Sequence, residues 1–170
     1  VVGNPPWIKL TWSEQAVFGD LHPIIYVKNY SEKQIAEVRD VFLQESTTRD
    51  IYVTEYQSMT GQLSFMNALQ NYPALKGQQT NLYKCFLPQS WSFGGTSCVS
   101  AFVHPDGVYD DPKGGNLRTE LYKRLRLHVQ YENELSLFEG TNDHGRMRFS
   151  TNIYKNGIRG YRFDTINNVF

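Results

Sequence analysis

The residues whose types and spacing best suit chemistry are Asn4, Pro5, Pro6 and Trp7, which follow two valines and a glycine. The valines are typical of the end of a buried strand, so Asn4 should lie at a strand's carboxyl end, where open α/β sheets place ligands. The prolines stiffen the turn and remove two N–H donors, which leaves the Asn4 amide oxygen and the Pro5 carbonyl as acceptors. These acceptors could hold both hydrogens of a planar amine while Trp7 stacks on its ring, and position and oriented dipoles would then make the nitrogen more nucleophilic. The alternative is a stiff turn in which Trp7 is only a core residue.

Four segments have the apolar spacing of helices. The first begins after Ser31, a good N-cap residue, and the second covers about residues 54–72. A third, from Asn81, should be kinked or ended by Pro88, because proline removes a bond to the carbonyl four residues back. The fourth follows the Gly114-Gly115 pair and should turn three leucines inward: Leu117, Leu121 and Leu125.

Segments with strand character alternate with these helices. TSCVSAFVHP is apolar and β-branched, which predicts a strand buried on both faces. LHVQY and RMRFSTNIY alternate in polarity, and the latter would place four side chains on one side: Met147, Phe149, Thr151 and Ile153. No full helical crossover separates these two strands, so an antiparallel pair at one edge is expected. The order predicts an α/β fold, the second half of a doubly wound, Rossmann-like sheet with an antiparallel final strand, and no glycine-rich nucleotide turn occurs.

Composition narrows the function classes. No apolar run approaches the ~18 residues of a membrane span, and no secretory signal precedes the first valines. Cys85 and Cys98 lack metal-ligand spacing, so we expect two reduced thiols and no metal site. Net charge is zero overall but −4 over residues 1–112 and +4 over residues 113–170, which could orient a polyanion. The missing initiator Met suggests a piece of a longer chain.

Several motifs, taken in order, resemble one known family. Asn-Pro-Pro-aromatic after a hydrophobic strand is the catalytic motif of the amino-group DNA methyltransferases of the adenine N6 type. Residues 81–87, NLYKCFL, resemble the helix that follows the catalytic strand in that family. Gly94-Gly95 with the strand to Pro105, the LRxxL helix at Leu117, and the stretch 138–153 resemble its later elements. The insert of 73 residues between Trp7 and Asn81 is most similar to type IIG restriction–modification enzymes and related phage-defence methylases.

The resemblance implies a site and its ligands. Asn4 and Pro5 would hold the amino group of an adenine flipped out of double-stranded DNA, and Trp7 would stack on that base. Pro6 and Phe86 would contact the cofactor, S-adenosylmethionine. The second stacking residue is left open between two candidates, Phe138 and His144.

The resemblance also implies an incomplete enzyme. Residues 1–155 would be the second half of the catalytic domain, and residues 156–170 a linker or the start of a following domain. A cofactor-binding half would lie upstream and a target-recognition region downstream, in a cytoplasmic prokaryotic protein. These residues alone would be inactive and prone to self-association. Two other functions stay open: a protein glutamine N-methyltransferase, whose planar amide fits the same acceptors, and a non-catalytic methylase-like module that binds DNA.

Overall fold

The computed structural model describes residues 1–132, 148–157 and 160–169. The chain divides into two compact units. We call residues 1–9 and 66–170 the sheet unit, and residues 10–65 the helical unit. Phe138, His144 and Met147 lie outside the described residues.

The sheet unit contains a mixed five-stranded sheet with the order β1-β2-β4-β3-β5. Its strands are β1 (Val2–Gly3), β2 (Val99–Pro105), β3 (Leu125–Glu132), β4 (Arg148–Lys155) and β5 (Asp164–Val169). β1 runs parallel to β2, β4 runs antiparallel to both β2 and β3, and β5 runs parallel to β3. The predicted α/β class is confirmed, and so is the antiparallel pairing of β3 with β4.

The position of that antiparallel pair differs from the prediction. β4 lies between β2 and β3 rather than at the sheet's edge, because it bonds to both strands along its length. β5 then adds a further strand outside β3. The sequence TINN at its centre has no apolar alternation to predict a strand, and every residue from Asp164 to Asn168 is exposed.

Two helices cover one face of the sheet, α5 (Leu82–Phe93) and α7 (Gly115–Arg124). The connection from β1 to β2 also contains a short 3-10 helix at Pro73–Leu75. The connection from β2 to β3 also contains the single turn α6 at Gly107–Asp110. The core of the unit lies beneath the helices and consists of Tyr83, Leu87, Phe102, Val108, Leu117, Leu121, Leu125 and Tyr154. Leu117 and Leu121 turn inward as predicted, and Leu125 is buried as the first residue of β3.

The opposite face, which we call the open face, is only partly buried. β2 alternates along its length, with Phe102 and His104 buried on the helix side and Ala101 and Val103 half-exposed on the other. The expectation that β2 is buried on both faces is therefore wrong for this chain, since α5 and α7 pack on the same side of it.

Helix α5 does not end at the proline inside it. Pro88 lies in the middle of the helix, which continues to Phe93 and is capped by Gly94. Burial of Tyr83, Cys85, Leu87 and Ser90 on both sides of the proline keeps the two halves packed on the sheet. Tertiary packing thus outweighs the hydrogen bond that Pro88 cannot make.

The helical unit contains α1 (Glu14–Leu21), α2 (Ile24–Val27), α3 (Glu32–Phe42) and most of α4 (Ser46–Asn67). The predicted cap at Ser31 is confirmed, and with Gln34 it forms a capping box. α4 begins and ends earlier than the predicted 54–72. A small core of Phe18, Ile25 and Ile35 is flanked by Glu14, which accepts from Arg39 at 2.6 Å and from the Tyr52 hydroxyl at 2.7 Å.

Candidate active site

The Asn4–Trp7 turn lies at the carboxyl end of the sheet. β1 ends at Gly3, which is opposite Phe102, and β2 continues in the same direction to Pro105. β3 is parallel to β2 through their shared antiparallel neighbour, so its last residues reach the same end. The placement of Asn4 at the carboxyl end of a strand agrees with the sequence-based expectation.

The turn exposes one of its two candidate acceptors, the Asn4 amide oxygen. Asn4 and Pro6 are exposed, Pro5 is buried and Trp7 is half-buried. Among the described residues, none donates a hydrogen bond to the Asn4 side chain or to the Pro5 carbonyl. The exposed Asn4 amide oxygen is therefore available to a ligand, and no described residue occupies the carbonyl of the buried Pro5.

Trp7 is held at its edge and on one face. Its indole N–H donates to the Val103 carbonyl at 3.4 Å. Its ring also packs against Phe149, with centroids 6.0 Å apart and planes at 37°. Trp7 is thus neither a free surface ring nor a fully buried core residue.

Phe149 extends this contact into an aromatic row. Its ring stacks on that of Tyr131 at 5.3 Å and 16°, and it is only 8% exposed. The register explains the row, because Phe149 pairs with Tyr131 of β3 and with Pro105 of β2 at the carboxyl end of the sheet. The sequence predicted which side of its strand Phe149 occupies, but it did not predict the contact between Phe149 and Trp7. The position of Phe149 near the start of an alternating strand was the signal that could have found it.

Helix α5 begins beside the turn. The backbone N–H of Leu82 donates to the carbonyl of Ile8 at 2.9 Å, and Lys9 forms a bridge with Asn81. Phe86 lies one helical turn after Leu82 and is 46% exposed. The Phe86 ring is therefore accessible in the second turn of α5.

Lys84 anchors the start of α5 to the loop after β2. Its ammonium group is 2.6 Å from the Asp111 carboxylate and donates to the Gln78 amide oxygen at 3.1 Å. The Lys84 side chain is 9% exposed, so this ion pair is largely removed from water. The hydrogen bond from Lys84 is the main cause that lowers the pKa of Asp111. Nothing in the sequence pattern indicated this pair, whose members are 27 residues apart.

A buried polar network lies on the helix-covered face of β2 and β4. His104 Nδ1 lies 2.9 Å from the Pro105 carbonyl, which can only accept, so Nδ1 carries the proton. Nε2 then accepts from the Tyr154 hydroxyl at 2.8 Å and faces the Asn152 amide nitrogen at 3.0 Å. Burial lowers the pKa of His104 from 6.5 to about 4, which keeps the ring neutral.

The network continues toward β3. Asn152 Oδ1 accepts from the Tyr109 hydroxyl at 2.7 Å and lies 2.8 Å from His128 Nδ1. His128 Nε2 lies 3.8 Å from Asp106, which also accepts a hydrogen bond from Gln130. Burial raises the pKa of Tyr109 far above its ordinary value, so its hydroxyl remains a donor. A polar chain thus connects the middle of the sheet to Asp106 at its carboxyl end.

Three further observations concern other kinds of site. Phe138 and His144 cannot be placed relative to Trp7, since both lie outside the described residues. Among residues 1–132, 148–157 and 160–169, no group of three or more His, Cys, Asp or Glu side chains could hold a metal ion. Within the same ranges, no helix has the length and apolar character required to cross a membrane.

Comparisons with known proteins do not identify a family for this chain. No protein-family profile matches the sequence, and no curated protein matches it significantly. One similar solved structure is a protein from Listeria monocytogenes described as a class I S-adenosylmethionine-dependent methyltransferase, with a TM-score of 0.44 and 11% sequence identity. The match covers 58% of this chain and 31% of that one, so this chain spans about a third of that protein's length. A similarity of this size has no bearing on activity or substrate.

Proposed function

We propose that this chain is the second half of the catalytic domain of a DNA adenine N6-methyltransferase. The enzyme transfers a methyl group from S-adenosylmethionine to the amino group of an adenine flipped out of double-stranded DNA, as part of a cytoplasmic restriction–modification or phage-defence system of a prokaryote. The observation that carries the proposal is the Asn4–Trp7 turn at the carboxyl end of β1, where the Asn4 and Pro5 oxygens accept no hydrogen bond from a described residue and the indole of Trp7 is anchored to β2.

The turn fits an aromatic amine as acceptor of the methyl group. The Asn4 amide oxygen and the Pro5 carbonyl would each accept one hydrogen of the amino group, while Trp7 supports the ring of the base. The hydrogen bonds to both acceptors become stronger as positive charge develops on the nitrogen. They would therefore stabilise the transition state more than the ground state. S-adenosylmethionine, when bound, supplies a methyl group activated by a sulfonium. Transfer would form an N–C bond and break the bond between the methyl group and sulfur, and the amine held by Asn4 and Pro5 would release one proton to solvent.

The proposed cofactor contacts are accessible. Pro6 is exposed in the turn, and Phe86 presents 46% of its surface on α5. The bond between Leu82 and Ile8 brings the start of α5 to the end of the same turn. Two apolar surfaces near one end of the sheet suit the flat adenine of the cofactor.

Exposed apolar side chains of the sheet unit support the proposal that a cofactor-binding half of the domain packs against it. Val1 and Val2 of the β1 region are 62% and 87% exposed. The open face adds half-exposed apolar side chains from three strands: Ala101, Val103, Leu127, Val129 and Ile153. A contiguous row of half-exposed apolar side chains is typical of a surface that another part of a protein covers, so we propose that the other half of the domain packs here. Self-association of these residues alone follows from the same surface.

Product analysis tests the proposed reaction. The full-length gene product is incubated with methyl-labelled S-adenosylmethionine and genomic DNA, and the DNA is digested to nucleosides. Label in N6-methyladenine supports the proposal, and the Asn116→Ala variant, with an exposed substitution on α7, should retain it. Label in a protein glutamine or in methylcytosine overturns the proposed substrate. No transfer to DNA or protein, with DNA binding retained, indicates the non-catalytic module instead.

A further inference from the structure

We propose that Trp7 is a positioning residue for Asn4, because its indole N–H replaces a backbone donor that Pro5 lacks. This inference rests on the proposed function for its catalytic consequence, but its structural part can be measured without any activity. It gives Trp7 a role beyond stacking on a base, and it predicts that removing one N–H group slows the reaction.

The hydrogen bonds between β1 and β2 show which donor is missing. The amino group of Val1 donates to the Val99 carbonyl, and the Ala101 N–H donates to the Val1 carbonyl, both at 2.8 Å. In a parallel pair, each strand bonds at every second residue, so Val99, Ala101 and Val103 turn their carbonyls toward β1. On β1 and its continuation, the backbone nitrogens that face these carbonyls belong to residues 1, 3 and 5.

Pro5 interrupts this series. Its nitrogen has no hydrogen, so the Val103 carbonyl cannot receive the bond that a regular continuation of β1 would supply. A peptide carbonyl left without a partner in a partly buried position is unfavourable. The Trp7 indole N–H lies 3.4 Å from this oxygen and takes the place of the missing donor.

This bond fixes the turn on the far side of Asn4. On the near side, Gly3 is paired with Phe102 in the sheet. On the far side, the prolines restrict the backbone and the indole bond ties Trp7 to β2. Asn4 is therefore held between two attachments to the same strand, which restricts where its amide oxygen can point.

The ring plane of Trp7 has a second constraint. Phe149 packs on the indole at 6.0 Å and is itself stacked on Tyr131 at 5.3 Å. The N–H bond sets the direction of the ring edge, and Phe149 limits rotation of its face. Phenylalanine or tyrosine at position 7 could stack on a base, but neither has a ring N–H to give to Val103.

The test removes the N–H group and keeps the ring. Trp7 is replaced by benzothienylalanine, in which sulfur stands where the indole N–H was, in the full-length gene product. Trp91 provides the matched control, because its buried indole nitrogen has no hydrogen-bond partner in the described part of the chain. The same replacement at Trp91 should leave methyl transfer unchanged.

We expect single-turnover methyl transfer to fall roughly tenfold at Trp7, the loss of one net hydrogen bond, while 2-aminopurine fluorescence at the target base is unchanged. Trp7→Phe should slow the reaction at least as much. A normal rate in the benzothienyl variant overturns the positioning role and leaves the proposed function intact.

A second measurement does not depend on activity. In wild-type protein labelled with 15N at the tryptophan indoles, the Trp7 N–H signal should exchange with D2O more slowly than that of Trp12, whose ring belongs to the helical unit. Fast exchange at Trp7 overturns the indole bond even if the enzyme methylates adenine. Slow exchange in a protein that methylates nothing keeps the bond and overturns only the proposed function.

Discussion

His104 and Tyr154 are joined by a hydrogen bond of 2.8 Å between Nε2 and the hydroxyl, and both residues are 0% exposed. His104 is the sixth residue of β2 and Tyr154 is the seventh residue of β4, and these two strands pair directly. A neutral imidazole is needed at this position, because Nε2 must accept while Nδ1 donates to Pro105.

Acid should therefore destabilise the protein through His104. Its pKa is lowered from 6.5 to about 4 by burial, so the unfolded chain binds a proton more readily than the folded one between these values. The contribution of neutral His104 to the free energy of unfolding is fully present above pH 6.5. It is lost as the pH falls toward 4, and the loss is about 3 kcal/mol at most. Urea unfolding at pH 7.5, 6, 5 and 4.5 measures the slope. The variant His104→Gln should show a shallower slope over that range, and equal slopes would contradict the assignment.

Removal of the Tyr154 hydroxyl should destabilise the fold. Tyr154→Phe keeps the ring but leaves His104 Nε2 and the Tyr109 hydroxyl short of a partner. We expect a loss of about 1–3 kcal/mol in the free energy of unfolding. Tyr161→Phe removes a hydroxyl from a side chain of which 67% is exposed and should change stability by less than about 0.5 kcal/mol. Similar effects from both substitutions would show that the buried network is unimportant.

The ion pair between Lys84 and Asp111 should be worth more than a surface pair. Asp111→Asn leaves the Lys84 ammonium in a site where its side chain is 9% exposed, so we expect a cost of about 3 kcal/mol. Glu132→Gln breaks the pair with Arg148, whose side chain is 54% exposed, and should cost less than about 1 kcal/mol. Chemical denaturation of both variants gives the comparison. A cost below 1 kcal/mol for Asp111→Asn would mean that Gln78 alone satisfies the lysine.

Asn4→Ala should affect the chemical step. The variant removes the exposed acceptor of the turn without touching the core, because Asn4 is exposed. In the proposed enzyme we expect a fall in the single-turnover rate of about 10² or more, with DNA binding retained. Asn116→Ala serves as the matched control. A normal rate for Asn4→Ala would leave the turn with a purely structural role.

The sequence by itself determined many of the local elements and the place of the turn. The α/β class, the inward leucines of α7, the cap at Ser31 and the alternation of β4 follow from apolar spacing and from donor and acceptor chemistry. These features depend on residues close together in the chain. The position of Asn4 after a strand is of the same kind, since two valines and two prolines suffice to indicate it.

Tertiary structure alone decided what those elements meet. The indole bond to Val103 spans 96 residues, and the bond between His104 and Tyr154 spans 50. β4 was expected at an edge but lies between β2 and β3, which brings Phe149 beside Trp7. Of the two effects expected of Pro88, a kink or an end to α5, the structure excludes the end, because the helix continues to Phe93 with packed side chains on both sides of the proline. Sequence periodicity reports which side of an element is apolar, but partners distant in the chain are chosen by strand order and register, which no local pattern contains.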